Sequence, residues 1–247
     1  MNPLLVRVAA LSTGLVLATP SAPTASPTVG RGSIAQVAPS SLPTPPARFS
    51  IHGDEIILPP PAGFCPPSAS AAEKLKTYAA MFEKPHAEFG AALFPCRPDA
   101  RSTTTPVGVL IGFLELPQKI TGRRPDILKL FSERLASAQG KMEIQSGISR
   151  AGAVVKDSIG ADVAIETTPV VVDTDDYGVY VLINEGIKTN NAEREGTIIE
   201  SVTIVDGYMM FYLFVAKVGS PADTAVILKT AKSETRRFVE ANEALTG

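Results

Sequence analysis

The stretch Tyr208–Val218, YMMFYLFVAKV, restricts the fold more than any other part of the chain. It is rich in aromatic and other large apolar residues and follows Asp206-Gly207, a dipeptide suited to a tight hairpin, so it reads as a strand paired antiparallel with its predecessor. Successive side chains of a strand point to opposite faces. Met209, Phe211, Leu213 and Val215 therefore share one face, and Met210, Tyr212, Phe214 and Ala216 the other. Both faces are apolar, so both need a cover.

Helices are available to provide it. Ser70 and Glu73 form a capping box before the stripe Leu75, Tyr78, Ala79 and Phe82, which has the spacing of one buried helix face. A second helix is predicted over Pro125–Ala138, with Ile127, Phe131, Leu135 and Ala138 as its stripe and Gly140 as its stop. A third starts at Ser220-Pro221-Ala222-Asp223 and runs to about Leu245, its stripe being Ile227 or Leu228, Ala231, Thr235 and Phe238. Before the first of these helices FSIHGDEIIL alternates about a Gly53-Asp54 turn, and between the first and second VGVLIGFLEL reads as a strand. MEIQSGI, AGAVVKD, ADVAIETTPVVVD, YGVYVLIN and GTIIESVTIV read as further strands. The expected fold class is α+β: an α/β/α sandwich with a mainly antiparallel sheet and three principal helices.

The first residues carry Arg7, then an apolar run from Val8 to Ala18, then small residues, which is the layout of a secretory signal peptide. Cleavage is expected after Ala18, with Ala22 as second choice. Residues 19–48, rich in Pro, Ser, Thr and Ala, cannot bury enough surface to offset their ordering entropy and read as a tether; residues 49–247 read as one domain. The chain is thus expected to be exported, periplasmic or secreted. In such an oxidising compartment two cysteines, Cys65 and Cys96, are expected to pair. A bridge closing about 32 residues is worth roughly 3.5 kcal/mol on the chain-entropy model.

Cys65 lies in ILPPPAGFCPPS, where five prolines fall within twelve residues. Proline cannot donate to a strand ladder, so the block ends one strand and stiffens the approach to the next element. A leading strand ending in Leu58, Pro59, Pro61, Gly63 and Phe64, followed by a helix, a long antiparallel set and a closing helix, resembles the Mog1/PsbP-type fold of exported bacterial proteins. The resemblance spans about residues 49 to 245. It implies the sandwich fold and carries no catalytic residue, since members have unrelated roles. Phe64 stands where a tryptophan is common there, and the cysteine pair is an addition.

The chemistry-bearing residues are sparse. The formal net charge of −2 gathers no nucleic acid. The two histidines, His52 and His86, lack metal spacing and read as surface residues. The chain has no nucleophile elbow, phosphate-cradling glycine loop or dinucleotide fingerprint. Asp173-Thr174-Asp175-Asp176-Tyr177-Gly178 matches a calcium loop at its first, third and sixth positions, but Tyr177 and Asn184 stand at the fifth and twelfth, and a polar hairpin turn accounts for it. Lys229, Lys232, Arg236 and Arg237 give the last helix a basic flank, interleaved with Glu234 and Glu240; Lys119, Arg123, Arg124 and Lys129 form a looser group. Each reads as a solvated face or as a dock for an acidic partner. No cofactor, metal site or catalytic residue is assigned. The expected role is a non-enzymatic binding or accessory domain with an envelope protein as partner; the alternative is a hydrolase using His86 or the acidic turn as base.

Overall fold

The computed structural model describes residues 45–67, 87–97, 104–114, 116–142, 164–167, 169–189, 192–217 and 219–246. Its strands are β1 (Ala47–Ile51), β2 (Asp54–Leu58), β3 (Phe64–Cys65), β4 (Ala87–Pro95), β5 (Gly108–Leu114), β6 (Ala164–Thr167), β7 (Val170–Thr174), β8 (Val179–Thr189), β9 (Ala192–Val205) and β10 (Tyr208–Lys217). Its helices are α1 (Arg124–Ala136) and α2 (Pro221–Thr246). The expected helix beginning at Ser70 lies outside the described residues. The class is α+β. β1 and β2 form a hairpin of their own, and the main sheet runs β3-β4-β5-β10-β9-β8-β6, with β7 also on β8. Its described pairings are antiparallel.

β10 lies between β5 and β9 and is buried from Tyr208 to Ala216. Its alternation divides the core in two. Met209, Phe211, Leu213 and Val215 join Leu110, Leu114, Val181 and Ile198, together with Leu128, Phe131 and Leu135 of α1. Met210, Tyr212, Phe214 and Ala216 join Val109, Ile111, Tyr180 and Ile199, with Ile227, Ala231, Phe238 and Val239 of α2 and Ile51, Ile56 and Leu58 of the hairpin. Burying one such side chain contributes about 1.5–3 kcal/mol, so each face of this strand is a large part of the driving force.

Helix α1 differs in detail from its expected form. Leu128, rather than Ile127, shares the buried stripe with Phe131 and Leu135. The helix stops at Ser137, not Gly140: the Ser137 amide donates to the Glu133 and Arg134 carbonyls, and its hydroxyl donates to Arg134 O at 2.6 Å. Gly140 sits in a further helical turn over 138–142, where a Cβ would fall 2.0 Å from the Arg134 carbonyl oxygen. Glycine is there for close approach. Met142, expected to begin a strand, ends that turn, and the rest of that strand and the next, to residue 157, lie outside the described residues.

Helix α2 starts as its sequence predicts. Ser220 Oγ accepts from the Asp223 amide at 3.2 Å, and Asp223 Oδ2 accepts from the Ser220 amide at 2.8 Å, a reciprocal cap with Pro221 at the first helical position. The helix buries Ile227, Ala231, Thr235 and Phe238, and continues the stripe through Val239 and Asn242. Among the described residues no helix is long and apolar enough to cross a membrane.

The proline block joins the hairpin to the main sheet. Phe64 N donates to Pro61 O at 3.0 Å, Gly63 turns the chain at φ 81°, and Cys96 N donates to Gly63 O at 2.8 Å. Cys65 and Cys96 stand at disulfide distance, their Cα atoms 5.0 Å apart, tying β3 to the end of β4.

Candidate functional site

Two clusters of charged side chains border the sheet, each built around a lysine that bridges two aspartates. The first occupies the acidic turn between β7 and β8. β7 pairs Val171 with Val181 and then Asp173 with Tyr180, leaving Val172 as a bulge. That extra residue reverses the alternation. Asp173 thereby shares a face with Tyr180, toward α2, while Thr174 pairs with Val179 and its hydroxyl lies 3.0 Å from Ser132 Oγ of α1.

Lys232 of α2 meets this turn, its Nζ 2.6 Å from Asp173 Oδ2, 3.4 Å from Asp175 Oδ2 and 5.6 Å from the Tyr180 ring centre. Asp175 Oδ1 accepts from the Tyr177 and Gly178 amides at 2.9 and 3.0 Å and from the Tyr180 hydroxyl at 3.2 Å. The Lys232 ammonium, helped by the Thr174 amide and opposed by partial burial, holds the Asp173 carboxyl below its ordinary range. The same contact raises Lys232. Burial first, then Asp175, pushes the Tyr180 hydroxyl well up, so it stays a neutral donor. The turn is therefore organised around an ammonium and its own amides. Among the described residues no three metal-ligating side chains converge.

The second cluster joins two hairpin turns. His52 and Gly53 have φ of 51° and 97°, and Asp206 and Gly207 have 48° and 78°, so both are two-residue turns with two left-handed residues. The first turn is thus centred on His52-Gly53, not Gly53-Asp54, because Asp54 already pairs with Ile51 as the start of β2. Lys119 Nζ lies 2.9 Å from Asp54 Oδ2 and 2.8 Å from Asp206 Oδ2, and its backbone neighbour Ile120 N donates to Gly207 O at 2.7 Å. Tyr208 OH is 2.5 Å from Asp54 Oδ2 and 3.2 Å from Ile51 O. The Tyr208 hydroxyl is pushed up to about 12, by burial and then by Asp54, and Asp54 is lowered by Tyr208 and Lys119. His52 is exposed, its ring centre 6.1 Å from that of Tyr208.

The two basic groups of the sequence are thus divided by the fold. Lys129 and Lys229 are exposed, and Arg123 lies 3.9 Å from Asp126. Arg124 instead donates through Nε to Ile204 O at 2.8 Å and reaches Glu243 of α2 at 2.5 Å. Arg237 donates to the Pro59 and Pro60 carbonyls and pairs with Glu234 at 2.7 Å; Arg236 pairs with Glu240 and lies 5.2 Å from the Tyr177 ring centre. His86 lies outside the described residues.

Sequence reasoning passed over Tyr208, Asp54 and Asn242. Asn242 Oδ1 accepts from Ile57 N, and Nδ2 donates to Ile57 O, both at 2.8 Å, so one buried side-chain amide does for β2 what a neighbouring strand would do. The available signal was an amide placed four residues after Phe238, in line with the buried stripe. No family model matches the chain, and no curated protein matches it.

Proposed function

We propose that this chain is an exported, non-enzymatic binding or accessory domain, a three-layer α/β/α sandwich of the Mog1/PsbP-like layout carried on the tether of residues 19–48. The sandwich reading is supported by β10, whose two side-chain sets pack with α1 and with α2. The layout is supported by the Leu58–Phe64 motif, which runs from the end of β2 into β3. Export is supported by the cysteine pair at disulfide distance.

One observation carries the non-enzymatic reading: the acids a hydrolase would use as base already have partners. Asp173 and Asp175 face Lys232, and Asp175 also accepts two amides and a hydroxyl. Asp173, held below its usual range by Lys232, is a weak proton acceptor at neutral pH. The test immobilises the chain from Thr19 onward and challenges it with envelope extract of its own cell. The expected result is one partner, recovered repeatedly and rebinding when purified. Failure to recover a partner, together with ester or peptide hydrolysis abolished by Asp175→Asn, would establish the hydrolase instead. N-terminal sequencing of the exported protein is expected to begin at Thr19, and intact Met1 in a cell-interior fraction would overturn export.

A further inference from the structure

We draw no further inference here: the strongest candidate, the outer edge of strand β7 with exposed Val170 and Val172 beside the Asp173–Gly178 turn, is an apolar strand edge, and nothing in the structure shows what covers it.

Discussion

The two faces of β10 are both buried but are made of different material. Toward α1 the layer is mainly aliphatic, with Leu110, Leu114, Val181, Ile198, Leu213 and Val215 around Phe131 and Phe211. Toward α2 it is aromatic, with Tyr180, Tyr212, Phe214 and Phe238 in its centre; the Tyr212 ring lies 4.5 Å from Phe214 and 5.7 Å from Phe238, centre to centre. Aliphatic side chains ask only for close packing, whereas a buried tyrosine brings a hydroxyl that needs a partner. The polar ties follow that difference. Tyr180 donates to Asp175, Tyr208 to Asp54 and Thr235 to Ser201, all on the side with the aromatic residues. The α1 face is held mainly by shape, with Ser132–Thr174 and Arg124–Ile204 O as polar contacts of that helix, and the other by shape plus the contacts of its hydroxyl-bearing side chains.

The largest expected effects test whether the faces are equal as packing. Phe214→Ala is expected to cost about 3–5 kcal/mol and Leu213→Ala about 2–5 kcal/mol, read as shifts in urea midpoint at unchanged slope. A near-zero cost for either would mean that its face is not closed. Next comes Asn242→Leu, which leaves the Ile57 amide and carbonyl without their side-chain partner and is expected to cost roughly 1–3 kcal/mol. Hydrogen exchange at Ile57 should accelerate in this variant before exchange in β10 does.

Smaller again is Lys232→Met. Because the Lys232 side chain is 35% exposed, solvent screening limits the expected loss to roughly 0.5–1.5 kcal/mol at neutral pH. The sign with pH is definite. Asp173 is depressed in the folded state, so its contribution is present above the unfolded carboxyl value of about 3.9 and is lost as acid brings the pH down through the folded one. Unfolding midpoints followed downward from pH 5 should therefore fall less steeply for Lys232→Met than for the parent chain. At the alkaline end Tyr208 is raised, so its contribution is present below the unfolded value of about 10 and lost as pH rises through about 12.

The smallest effect is expected at Tyr212, whose buried hydroxyl has no hydrogen-bond partner among the described residues. Tyr212→Phe removes a desolvated polar group without opening a cavity, so the midpoint should stay level or rise. A loss of about 1 kcal/mol or more would assign that hydroxyl a partner and add a polar tie to the aromatic face.

Much of the architecture was legible because it depends on local periodicity. The alternation in Tyr208–Lys217, the Asp206-Gly207 turn and the Ser220–Asp223 cap are encoded within a few residues, and each appears in the structure where expected. Errors arose where one residue changes phase. Ser137 stops α1 before Gly140, and the first hairpin turns at His52-Gly53, because histidine there takes a left-handed conformation that pattern reading assigns to glycine or asparagine. The bulge at Val172 is a change of phase that no local pattern announces. Strict alternation from Val171 would put Asp173 on the α1 face, whereas the extra residue turns it toward Lys232.

The amino-acid sequence alone determined that β10 must be covered on both sides, that α2 begins at Ser220 and that Cys65 and Cys96 are available to pair, since strand alternation, helix capping and residue chemistry act over short distances. Only the tertiary structure decided which lysines are ties and which are solvated. Lys119 and Lys232 resemble Lys129 and Lys229 in sequence, and they differ because distant segments place paired aspartates opposite the first two. An ammonium on a flexible stem has no preferred partner until the fold brings one within about 3 Å, where a charge-assisted hydrogen bond forms.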